Sequence, residues 1–146
     1  MAAPDRNQLP ELVRQRIEDA DLFAGWQVEP LTLDIEEFLR TRLKSQRGAV
    51  LTSYAGQRAT RRGSESASGR DVIIDVVVLA RRLEGPTGAQ AAITAIDTLL
   101  TDAQLIETDN GQPVRKWLVR FLSDEFLDEA DRISQHLVRF RLQLLN

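Results

Sequence analysis

The run Val72-Ile73-Ile74-Asp75-Val76-Val77-Val78-Leu79-Ala80 constrains this chain more than any other feature. β-Branched side chains favour extended, pleated backbone. A stretch apolar at consecutive rather than alternate positions needs cover on both faces, so it reads as a central strand. Gly48 opens a second β-prone run, Ala49-Val50-Leu51-Thr52-Ser53-Tyr54, which ends at Gly56. Between the two, residues 57–70 are polar, rich in Gly and Ser, and without apolar period. The expectation is a hairpin whose strands are joined by one long loop over 57–70.

Leu9, Val13, Ile17 and Ala20 line one helical stripe, with Leu12 beside them, while Glu11, Arg14, Arg16 and Glu18 face water. This predicts a helix over 8–23, capped by Asn7 or Asp5, with Gly25 just past its end. Trp26-Gln27-Val28 is a short alternating stretch stopped by Pro30. Asp34 to Glu37 has the spacing of a capping box, which suits a helix over 34–44; a strand and loop over 26–40 is the competing reading. Ala92, Ile93, Ile96, Leu99 and Leu100 predict a helix over 88–103 that Thr87 can cap. After the turn signal Asp109-Asn110-Gly111, Trp117, Val119 and Phe121 alternate with polar or outward positions, as do Val138, Phe140, Leu142 and Leu144 at the C-terminus. The fold class expected is α+β, an antiparallel or mixed sheet of about four strands packed on one side by helices, with a long hairpin loop, in one domain over 1–146.

The chain has no cysteine and one histidine, His136. Disulfides, thiolate metal sites, cysteine nucleophiles and two-histidine metal sites therefore have no residues to build on. A net charge of -3 supplies no global basic field for duplex nucleic acid. The N-terminal residues mix acids and arginines where a signal peptide needs an apolar run, and no long apolar stretch follows, so the chain reads as cytoplasmic and without a membrane.

No residue set commits to catalysis. Gly63-Ser64-Glu65-Ser66 lacks the strand-to-helix turn of a serine nucleophile, and Gly85-Pro86-Thr87-Gly88 reads as a helix start rather than a phosphate cradle. Asp124, Glu125, Asp128, Glu129 and Asp131 offer oxygens for a hard cation, but their spacing matches no ligand loop, and they read as a solvated connection between strands. His136 is in phase with Val138 and Phe140 and so points to the core side. The catalytic, cofactor and metal assignments are accordingly none, and no enzyme is expected. The loop over 57–70 carries Arg58, Arg61, Arg62 and Arg70 against the single acid Glu65. A locally basic segment on an acidic chain suits contact with an acidic surface on another subunit or partner, or with a phosphate backbone; the bland alternative is a solubilising connection. Arg139 and Arg141, on the outer face of a terminal strand, read either as edge protection or as interface residues.

The segment Gly48-Ala49-Val50-Leu51-Thr52-Ser53-Tyr54-Ala55-Gly56-Gln57-Arg58, the polar loop, the strand Asp71 to Arg82, the helix with Gly88-Ala89 and Ile96-Asp97-Thr98-Leu99-Leu100, and the Trp117 strand resemble tail-terminator-like proteins of Mu-type contractile-tailed phages and related prophages. The resemblance implies a subunit of a hexameric ring at the head-proximal end of the tail. Such a ring ends tube and sheath polymerisation and offers a surface to head-completion or neck proteins. The implied partners are copies of itself, tail tube and sheath proteins, and those head-side proteins, with no direct reading of nucleic acid. The implied setting is the virion tail, assembled in the bacterial host cytoplasm. A small-molecule-binding or regulatory α+β module is the alternative from another class.

Overall fold

The computed structural model describes residues 4–21, 25–32, 34–43, 47–59, 70–85, 88–130 and 132–145. In chain order these form α1 (Gln8–Asp19), β1 (Trp26–Pro30), α2 (Ile35–Phe38) running into a π-helical turn (Leu39–Leu43), β2 (Gly48–Ala59), β3 (Arg70–Ala80), α3 (Ala89–Leu100), β4 (Gln104–Asp109), β5 (Gln112–Ala130) and β6 (Ile133–Leu145). The six strands form one sheet in the order β1-β2-β3-β6-β5-β4. β1 pairs parallel to β2 and every other neighbour is antiparallel, so the sheet is mixed. The α+β class holds. The expected count of about four strands was short by β1 and β4.

β3 is the covered central strand that its composition demands. Val72, Ile74, Val76 and Val78 face α1 and α3, where Leu9, Val13 and Ile17 meet Ala92, Ile96 and Leu100. Val77 and Leu79 face the other way, onto Phe38 and Leu43 of the α2 segment. Helices therefore cover part of both faces, not one. β2 and β3 form the expected hairpin, but they run on to Ala59 and Arg70, so both ends of the supposed loop are strand. A bulge between Tyr54 and Gly56 keeps the pair in step. Gly48 has to be glycine: a Cβ there would lie 2.5 Å from the Leu79 carbonyl oxygen and 2.7 Å from the Trp26 ring.

α1 stops at Asp19, earlier than expected, because Asp21 adopts a left-handed backbone (φ 48°) and its N–H donates to the Glu18 carbonyl at 3.0 Å. At its start the capping work falls to Asp5, whose Oδ1 accepts from the N–H groups of Asn7 and Gln8, both at 3.0 Å. Asp34 caps α2 as its spacing predicts, accepting from the Glu37 N–H at 2.8 Å, but the α-helix lasts one turn before the π turn. Residues 26–30 are strand, as the competing reading had it, but 35–43 are helical, where that reading had a loop and the expected helix over 34–44 fits. α3 ends at Leu100; Thr87 lies outside the described residues, and Gly88 takes the cap position.

Asn110 and Gly111 both have positive φ, 52° and 78°, and close a two-residue hairpin between β4 and β5. β4 escapes a sequence reading because its inward positions are Leu105 and Glu107, and the charge breaks the apolar alternation. Glu107 is 2% exposed. Its carboxylate accepts from Arg115 Nε at 2.9 Å and Nη2 at 2.6 Å, from Trp117 Nε1 at 2.9 Å, and from the Asp5 N–H at 3.2 Å. Burial alone would raise its pKa; the donors from Arg115, Trp117 and Asp5 outweigh it and hold the carboxyl below its ordinary range. Beside it, Gln8 Nε2 donates to the Thr108 carbonyl at 2.8 Å and Thr108 N–H donates back to Gln8 Oε1 at 2.7 Å.

Glu107→Gln should cost about 3 kcal/mol in urea unfolding at pH 7, because it removes the buried carboxylate that the Arg115 guanidinium meets in a nearly buried site. The lowered pKa contributes stability above the unfolded carboxylate value of ~4.3, which is lost as pH falls through the folded value. The variant's acid limb should be flatter than that of the wild type. Equal stabilities at pH 7 would remove Glu107 from this role.

Candidate interaction surfaces of the sheet

The six arginines singled out in the sequence divide into three groups. Arg61 and Arg62 lie outside the described residues. Arg58 is exposed near the end of β2, in register with Asp71, and Arg70 begins β3 opposite Ala59. Arg139 and Arg141 sit on β6, which ends the chain but is inserted between β3 and β5, so neither protects a sheet edge. They face away from α1 and α3 and meet acids of β3. Arg139 donates to Asp75 from Nε at 2.7 Å and Nη2 at 3.2 Å, and Arg141 Nε lies 3.5 Å from Asp71 Oδ2. Asp75 raises the already high pKa of Arg139 further, so this guanidinium stays charged at any working pH. The fold thus brings Arg58, Asp71, Asp75, Arg139 and Arg141 onto one face of the sheet, beyond the part covered by Phe38 and Leu43. These cations are partly engaged inside the subunit.

The acidic stretch is a strand, not a connection. Asp124, Glu125, Asp128 and Glu129 lie on β5 and pair with Val138, Leu137, Gln135 and Ser134 of β6; Asp131 lies outside the described residues. The run without glycine or proline from Val114 to Arg132, with Phe121, Phe126 and Leu127 among the acids, was the available signal. Two bulges, between Phe121 and Ser123 and between Phe126 and Asp128, let the long strand follow the curl of the sheet. β4 pairs with β5 only as far as Leu118, and the last bonds on that side join Val119 to Asp102 and Ala103 at 2.8 and 2.9 Å. From Arg120 to Ala130 the side of β5 away from β6 has no strand partner among the described residues. Phe121, Phe126 and Leu127 are 39%, 59% and 41% exposed there. An edge without a strand partner and with exposed phenyl rings beside it is a template for adding another strand, although the Glu129 N–H already donates to Asp128 Oδ1 at 2.7 Å.

His136 lies at the same end. It is buried as its phase predicts, its ring meets Phe126 edge to face at 5.5 Å, and Nε2 has no hydrogen-bond partner among the described residues. Among the described residues no group of three His, Asp or Glu side chains is placed to hold a metal ion, and no helix is long and apolar enough to cross a membrane. No protein-family model matches the chain, and no curated protein matches it at a significant level.

Burial holds the His136 imidazole below the ordinary histidine range, and the Asp124 carboxylate offsets only part of that. The folded state therefore favours neutral imidazole. Its contribution to stability is complete above the unfolded value of ~6.5 and falls as pH drops through the folded value. Because the chain has a single histidine, His136→Phe should flatten the decline in unfolding free energy between pH 7 and 5.5. An unchanged slope would place that titration elsewhere.

Proposed function

We propose that this chain is a structural subunit of a contractile phage tail or a tail-derived particle. In this reading it closes as a hexameric ring at the head-proximal end, stops tube and sheath polymerisation, and offers a surface to head-completion or neck proteins. The observation that carries the reading is the unpaired edge of β5. A long edge strand with exposed aromatic side chains is an aggregation hazard on a free monomer and an asset on a subunit that meets copies of itself. The sequence resemblance to tail-terminator-like proteins supplies the particular assembly. A heterologous contact, one face meeting a different face of the next copy, closes into a finite ring when its rotation closes.

The partner-binding role of Arg58, Arg61, Arg62, Arg70, Arg139 and Arg141 belongs to the same proposal. Arg139 and Arg141 would act after exchanging part of their hold on Asp75 and Asp71. Arg58 and the loop arginines would reach acidic surfaces of neighbours. Exposed charges of this kind contribute little to folding and more to association rate and salt sensitivity.

Removing this chain from a tail-producing host should leave tubes and sheaths of uncontrolled length, and resupplying it should restore one length by electron microscopy. Arg58, Arg61, Arg62 and Arg70 replaced together by Ser should leave the melting temperature nearly unchanged and fail in that complementation. Tails of normal length without the chain would overturn the proposed function. A well-folded quadruple variant that complements fully would remove the loop arginines from it.

A further inference from the structure

The two edges of the sheet match each other row by row. Tracing the pairing across the sheet, the row of Trp26 passes through Gly48, Ala80 and Ser134 to Glu129, and the row of Pro30 passes through Thr52, Val76 and Val138 to Asp124. β1 at one edge therefore occupies the same rows as Asp124 to Glu129, part of the free stretch of β5 at the other, where the bulge between Phe126 and Asp128 adds one residue. β1 is parallel to β2, and β5 is antiparallel to it through β3 and β6. A second copy placed alongside without vertical shift would add its β1 antiparallel to β5 and continue the sheet.

We infer that copies of this chain join head to tail by this edge, β1 of one copy pairing with residues 124–129 of β5 in the next. The inference rests on the assembly reading above for its premise that copies meet, and it names the surfaces. Side chains on the matched rows fit. Val28 shares its row and its face with Phe126, through Val50, Val78 and His136, so the added strand would cover the most exposed of the phenyl rings. Cross-strand aliphatic and aromatic pairs of this kind stabilise sheets. Gln27 shares its row with Asp128. Glu29 shares its row with Glu125, a like-charged pair that Arg42 partly offsets, its guanidinium lying 3.6 Å from the Glu29 carboxylate.

Charge points to the same partner. From Ser123 to Glu129 the sequence has four acids and no base. Between Phe38 and Gly48 it has bases and no acid. That basic stretch flanks β1: Arg40 and Arg42 lie on the π turn, and the Arg47 N–H donates to the Gly25 carbonyl at 3.0 Å, next to Trp26. Two β5 edges paired with each other would set acid against acid, which is destabilising. The head-to-tail contact has one like-charged row, Glu29 with Glu125, and brings the other acids of β5 toward the bases that flank β1; it is directional, as a ring requires.

The absence of native cysteine makes the test direct. Two single-cysteine variants, Gln27→Cys and Asp128→Cys, are mixed at high protein concentration and treated with a short bis-maleimide. A covalent dimer should form in the mixture and not from either variant alone, and a Gln27→Cys, Asp128→Cys double variant should give a ladder that ends at the ring. In parallel, Glu125→Lys, Asp128→Lys and Glu129→Lys together should weaken self-association roughly tenfold or more with an unchanged circular dichroism spectrum. Adding Arg40→Glu, Arg42→Glu and Arg47→Glu should restore it. A dimer from Asp128→Cys alone would overturn the inference in favour of β5 pairing with itself. Absence of the mixed dimer from a sample that light scattering shows to be oligomeric would overturn it while leaving the assembly reading intact. A chain that stays monomeric without crosslinking also overturns it, and complementation of tail length then judges the assembly reading separately.

Discussion

The carboxylate of Glu107 is the joint on which the arrangement of layers depends. It is buried, and it collects donors from three places: the backbone just before α1, the neighbouring strand residue Arg115, and the indole of Trp117. An isolated buried carboxylate would cost several kcal/mol, so it is tolerated only because every direction is answered. One consequence is geometric. Asp5 and Gln8 tie the start of α1 to the β4–β5 hairpin, and the helix then crosses the sheet to touch β1 and β2 near the opposite edge. The same contact orients Trp117, the largest fully buried side chain, at the floor of the core under α1 and α3.

From that joint the two faces of the sheet take different roles. The face under α1 and α3 is a continuous apolar layer. The opposite face is apolar only where α2 and the π turn cover it, and beyond them it carries the Asp75–Arg139 and Asp71–Arg141 pairs. Acids on β3 and arginines on β6 alternate across strands rather than along them. The charges therefore meet one another in pairs inside the subunit, the arginines partly exposed, Asp75 less so, and Asp71 buried.

The edges are where the sheet is incomplete. β1 is short and β4 stops early, so the longest strand, β5, outruns its neighbour and presents open backbone groups beside exposed phenyl rings. Natural sheets guard such edges with charge, bulges and twist. Here bulges and charge are present, and from Ser123 to Glu129 the charge is acidic only, which disfavours pairing with an identical edge.

Much of the fold was legible because local chemistry and final environment agree. β-Branched runs made β3 and the start of β2, helical stripes made α1 and α3, and alternation made β6 and the beginning of β5. The capping acid at Asp34 and the turn at Asn110-Gly111 act through neighbours in sequence. What resisted reading are positions whose partners lie far along the chain. Glu107 looks like a solvent residue until Asp5 and Trp117 reach it, so β4 was invisible. The acids of β5 look like loop until β6 supplies a ladder for them. Arg139 and Arg141 look like edge residues until the C-terminal strand is seen to enter the middle of the sheet. The sequence by itself determined the segments whose apolar pattern is unbroken and the apolar side chains they bury, since these follow from backbone preference and solvent exclusion within a few residues. Only the tertiary structure decided strand order, and with it which edges remain unpaired. Strand order depends on pairings such as that of β3 with β6, from Ala80 with Ser134 to Val72 with Leu142, which no local pattern encodes.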